Sequence, residues 1–71
     1  MKILFCKWIS GMYSGVVGIV LIERDGIQQA YIGYAKGFNE EQDTKDVIDW
    51  GQKFSVEATL ILQKEWKGGN G

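Results

Sequence analysis

The sequence predicts an α+β domain: a mostly antiparallel four-stranded sheet in the order β-β-β-α-β, with one helix packed on one face. Three observations carry this. Asp25-Gly26 stands between two extended apolar stretches, and a type I′ hairpin turn needs the positive φ that Asp-Gly adopts readily. Asn39 followed three residues later by Gln42 is a variant of the capping box, with Glu40 and Glu41 where a helix dipole favours negative charge. Near the C-terminus, Val56, Ala58, Leu60 and Leu62 alternate with Glu57, Thr59 and Gln63, with Ile61 as the exception, the period of a half-buried strand.

The first strand is expected within "MKILFCKWI". Ile3, Phe5 and Ile9 share one alternation and Leu4, Cys6 and Trp8 the other, so the run reads as a strand buried on both sides and central in the sheet. "SGMYSG" follows as a hairpin loop around Met12 and Tyr13. The second and third strands cover about Val16 to Arg24 and Ile27 to Ala35. A two-residue turn between them sets Arg24 opposite Ile27, Ile22 opposite Gln29, Val20 opposite Tyr31 and Gly18 opposite Gly33. The other side then holds Glu23 with Gln28 at a polar end and otherwise Val17, Ile19, Leu21, Ala30, Ile32 and Tyr34, which are uniformly apolar and are expected to be the core under the helix.

In the helix, Val47, Trp50, Gly51 and Phe54 fall at i, i+3, i+4 and i+7, one apolar stripe in which Trp50 anchors the helix to the sheet. Gly51 can equally end the helix. Residues 55–66 are read as a strand in preference to a helix, although Ala58, Ile61, Leu62 and Trp66 would also line one helical face. A single domain is expected over residues 1–67, with a frayed tail at 68–71.

A chain of 71 residues buries only about 60% of its unfolded surface, so its core is marginal. Small domains usually add disulfides, a metal or a partner. Cys6 is the only cysteine and there is no histidine, which removes an internal disulfide and a structural zinc site. Self-association is the remaining device, so the expected partner is a second copy. The net charge of −1 offers no field for general nucleic-acid binding. The lysine-free stretch from Trp8 to Ile22 is 15 residues, short of the ~20 that span a bilayer, and no signal-peptide pattern is recognised. The expected setting is a cytoplasm, without a membrane partner.

No catalytic residues are expected. Cys6 has no histidine to activate it, and no carboxylates are arranged as an acid–base pair. No metal site or cofactor is expected either; the acidic residues from Glu40 to Asp49 read as a solvated helix face. The candidate interaction surface is Gly18, Val20, Ile22, Tyr31 and Gly33, because one helix covers one face and paired glycines let a backbone, a ring or a flat ligand approach. An alternative is a small anionic or nucleotide-like ligand at a subunit interface, met by Lys36 and Gly37 before the helix start, with Tyr13 or Tyr31 stacked on a base.

The stretch "YIGYAKGFNEEQDTKDVIDWGQKF" resembles a pattern in short uncharacterised proteins of phages and prophages of Gram-positive bacteria. The matching residues are Tyr31, Ile32, Gly33, Gly37, Glu40, Glu41, Asp43, Trp50, Gly51, Lys53 and Phe54, within about a third of the chain. The resemblance implies expression in a bacterial host cytoplasm and a role beside the phage's essential machinery; the functional reading is a small homo-oligomeric interaction protein that modulates or inhibits a host protein. It brings no catalytic residues.

Overall fold

Asp25 and Gly26 turn at φ 55° and 78°, the left-handed pair that a type I′ hairpin requires. They do so in a computed structural model that describes residues 1–10 and 15–66. Strands β1 (Lys2–Ser10), β2 (Val16–Arg24) and β3 (Ile27–Ala35) form an antiparallel meander, followed by α1 (Glu40–Trp50), β4 (Gln52–Phe54) and α2 (Val56–Trp66). The sheet order is β1-β2-β3-β4, antiparallel throughout. Between β2 and β3 the register is the one the turn dictates, with Val20 opposite Tyr31 and Gly18 opposite Gly33.

The α+β class and the four-stranded antiparallel sheet are as expected, but the C-terminal third is built differently. The fourth strand is only Gln52–Phe54, and residues 56–66 are a second helix where a strand was expected. Ser55 starts that helix: its Oγ accepts from the Ala58 N–H at 3.1 Å, and the Thr59 hydroxyl donates to the Ser55 carbonyl at 2.9 Å. Val56, Thr59 and Leu62 then face inward at helical spacing, so the period-2 pattern was a coincidence of composition. Helix α1 is capped as the sequence indicates, Asn39 Oδ1 accepting from the Gln42 N–H at 3.0 Å. It ends at Gly51, whose backbone is extended (φ −76°, ψ 173°) and whose N–H closes the last turn on Val47 O at 2.8 Å. β1 is an edge strand, not a central one.

The largest correction concerns which face α1 covers. It lies over the glycine pair. Val20, Ile22 and Tyr31 pack with Val47 in one buried cluster, ringed by Cys6, Trp8, Ala35 and Ile48. The close approach explains both glycines. A Cβ on Gly33 would sit 2.8 Å from Gly51 Cα and 3.9 Å from Val47 Cα, and a Cβ on Gly18 would run into the Trp8 indole. The bare patch therefore seats the chain's own helix and its own tryptophan. The inward side of α1 is Asp43, Thr44 and Val47, and Thr44 satisfies its hydroxyl by donating to Glu40 O at 2.7 Å. Trp50, expected as the anchor, is 84% exposed.

By alternation Ile19, Leu21 and Ala30 point to the opposite side, and they are buried outside the α1 cluster. Helix α2 reaches β2 and β3 and covers them there, with Thr59 fully buried. Each helix thus takes one face of the sheet.

Because Gly33 meets backbone and not a pliant side chain, Gly33→Ala is expected to destabilise the fold by roughly 1–3 kcal/mol, the usual range for overpacking. Ser55→Ala, which removes the α2 cap, is expected to cost about 1 kcal/mol. Urea denaturation followed by circular dichroism measures both; an unchanged midpoint for Gly33→Ala would mean that α1 does not press on β3.

Candidate functional site

Helix α2 does not cover the whole of its face. Beyond it, Ile9, Val17 and Tyr34 form one cross-strand row, beside the row of Lys7, Ile19, Ile32 and Gln52, in which Ile19 is buried. Ile9 is 45% exposed and Tyr34 81%. A cleft of about 490 Å³ opens there between Val17, Ile32 and Tyr34 of the sheet and Trp50 and Gly51 at the end of α1.

The geometry of the chain at Gly51 produces this site. A Cβ on Gly51 would lie 2.7 Å from the Ile32 carbonyl oxygen, so only glycine lets α1 end this close to β3. The extended Gly51 turns the backbone directly into β4, where Gln52 pairs with Ile32. Trp50, one residue before the turn, is left outside the core beside Tyr34. The lining holds two aromatic rings, aliphatic side chains and backbone, with Gln52 as its polar side chain and no charged group. Such a surface can recognise apolar and aromatic groups and has nothing to stabilise a buried charge.

The residues expected to form an interaction surface are not free to do so. Val20 and Ile22 are fully buried and Tyr31 is 8% exposed, all under α1, with Gly18 under Trp8. Gly33 alone also borders the cleft. The residues named for an anionic ligand are not brought together either. Tyr31 is buried and its hydroxyl donates to Gln29 Oε1 at 3.3 Å, which leaves no ring face for a base. Tyr13 lies outside the described residues. Lys36 is exposed beside a shallow depression that also contains Asp43 and Asp46, an unfavourable setting for an anion. Gly37 serves a turn, at φ 81°, against the Val16 side chain. Among the described residues no three His, Cys, Asp or Glu side chains converge as a metal site.

Cys6 is half-buried between the sheet and α1. Burial pushes its thiol above the ordinary cysteine range; a hydrogen bond with Thr44 works against that rise and the Glu40 charge adds to it. The thiol is thereby kept protonated at neutral pH and is a poor nucleophile.

The cleft is not visible in the sequence because the apolar helical spacing through Trp50 runs on past Gly51. The signal that could have found it is the pairing of Gly33 with Gly51: two glycines facing across a strand–helix contact force the helix to stop there. A search of protein-family models, curated proteins and solved structures finds no match to this chain. Among the described residues no helix is long and apolar enough to cross a membrane.

Exposed residues outside special contacts usually change stability by no more than about 0.5 kcal/mol, so Tyr34→Ala and Trp50→Ala should melt like the wild type. A large loss in Trp50→Ala would return Trp50 to the core. Cys6 has its folded-state pKa raised, so its contribution to stability is present below the unfolded thiol's pKa and lost as pH rises through the folded value. Alkylation of Cys6 at pH 8 is accordingly expected to be slow in buffer and fast in urea; equal rates would contradict the burial.

Proposed function

We propose that this chain is a small interaction protein that works by binding, not by catalysis, and that its binding surface is the cleft between Tyr34 and Trp50. The observation that carries the reading is the exposure of these two rings, 81% and 84%, on either side of an uncharged cleft. A domain this small has little apolar area to spare for its own core, and Tyr and Trp are the side chains that dominate binding energy at protein interfaces. The partner is a protein that presents an apolar or aromatic side chain. The resemblance of residues 31–54 to phage and prophage proteins supports a bacterial host protein as that partner, met in the host cytoplasm and modulated or inhibited by occupation. The protonated thiol of Cys6 supports a role without covalent chemistry.

The test is affinity capture from a lysate of a Gram-positive host with three baits: wild type, Tyr34→Ser/Trp50→Ser, and a control altered at an exposed residue of α2, Ile61→Ser. One protein should be held by the wild type and the control and be reduced by about tenfold or more with the cleft variant, as expected for loss of hot-spot residues. Equal retention by all three baits would remove the cleft from the binding surface.

A further inference from the structure

One acidic residue of α1 is not part of a solvated face. Glu40, Glu41 and Asp49 are exposed and Asp46 is half-buried, but Asp43 is only 5% exposed, on the inward side of the helix. The donors around it are committed elsewhere. The Gln42 N–H goes to Asn39 Oδ1 and its side-chain amide to Asp46 Oδ1, both at 3.0 Å. The Thr44 hydroxyl goes to Glu40 O at 2.7 Å and the Trp8 indole N–H to Glu40 Oε2 at 3.4 Å. Among the described residues the Asp43 carboxylate is left without a donor or a cation of its own. Its oxygens are not sealed in, since no fully enclosed side-chain oxygen or nitrogen among those residues lacks a partner; they open into the two depressions that Asp43 lines. Burying an unpaired carboxylate is costly, and for folding alone an apolar side chain would serve better there.

We propose that the depression between Trp8, Phe38, Glu40 and Asp43 is a pocket for the guanidinium of an arginine side chain on a partner protein. Its walls carry both halves of guanidinium recognition: carboxylates that accept the planar fork of N–H groups, and aromatic rings on which the flat cation stacks. The Trp8 ring is already fixed, lying over Gly18 with its N–H on Glu40, and Phe38 stands 88% exposed at the rim. The volume, about 210 Å³, is below the ~300–1,000 Å³ of sites that enclose a free small molecule, and it suits the head of one side chain.

Two features of the chain act against the proposal, and neither is large enough to cancel it. Glu40 and Asp43 sit near the positive end of α1, which favours them, but a helix dipole amounts to about half an elementary charge against two carboxylates. Lys36 borders the second depression with Asp43 and Asp46, yet it is exposed and its ammonium remains in water. The pocket lies at the start of α1 and the Tyr34–Trp50 cleft at its end, so neither site depends on the other.

Titration of the isotope-labelled protein with N-acetyl-arginine methylamide at low ionic strength tests this. It is read by NMR at the Trp8 indole N–H and the amides of Asn39 to Asp43, with the melting temperature of every variant measured alongside. Saturable shifts are expected with the blocked arginine. Binding of its neutral isostere, N-acetyl-citrulline methylamide, should be weaker by about tenfold or more, and blocked lysine should fall between them, since an ammonium neither forks nor stacks. Asp43→Asn is expected to weaken arginine binding by about tenfold or more and to melt no lower than the wild type, because it removes a buried charge at constant shape. Glu40→Gln keeps an acceptor for Trp8 and should lose a smaller factor, while Lys36→Gln should bind at least as well as the wild type. Equal binding of arginine and citrulline, or wild-type affinity in Asp43→Asn, would overturn the proposal. A lower melting temperature for Asp43→Asn would also overturn it, by making the carboxylate a structural partner of α1 or Lys36. Tighter binding of free L-arginine than of the blocked form would replace the partner protein with the amino acid itself.

Discussion

The contact on which the rest of this structure depends is the seating of α1 on two glycines. Gly18 and Gly33 lie opposite each other in the β2–β3 hairpin and remove two side chains from the middle of one face. The Trp8 ring fills the first gap, and the backbone of α1 from Val47 to Gly51 closes over the second. Helix and sheet then approach closely enough for Val47, Val20, Ile22 and Tyr31 to exclude water together. Fully burying a side chain of this kind is worth about 1.5–3 kcal/mol, and the whole stability of a small domain is of the order of 5 kcal/mol. A few such residues therefore decide whether the chain folds.

The same contact determines what is left outside. Because α1 must stop at Gly51, the chain passes at once into β4 and Trp50 stays in solvent beside Tyr34. Because α1 ends there and α2 covers only part of the second face, a cleft persists between the sheet at Val17, Ile32 and Tyr34 and the chain at Trp50 and Gly51. The feature that completes the core and the feature proposed for binding are two consequences of one glycine-mediated approach.

Local signals in the sequence were legible where a single conformation is demanded. Asp25-Gly26 required positive φ twice and so set the register of the hairpin, and Asn39 with Gln42 marked the helix start. Signals that depend on the third dimension were not. Alternation says which residues share a face but not which face a helix takes, and both faces of this hairpin are apolar enough to be a core. Residues 56–62 satisfied two periods at once, and the Ser55 cap that decides between them carries little weight in a scan for strands. The glycine pair marks a place of close approach, but the groups that approach it, the Trp8 ring and the α1 backbone, belong to the same chain and not to a partner. The expected surface at Val20 and Tyr31 was thus a core, and the cleft at Tyr34 and Trp50 could emerge only once α1 was placed.

The most direct measurement of the central claim is a set of nuclear Overhauser contacts from the Val47 methyl groups in a uniformly labelled sample. With α1 seated on the glycine pair, those methyls should contact the Tyr31 ring and the methyls of Val20 and Ile22. Contacts from Val47 to Ile19, Leu21 or Ile32 instead would place α1 on the other face of the sheet and contradict the account.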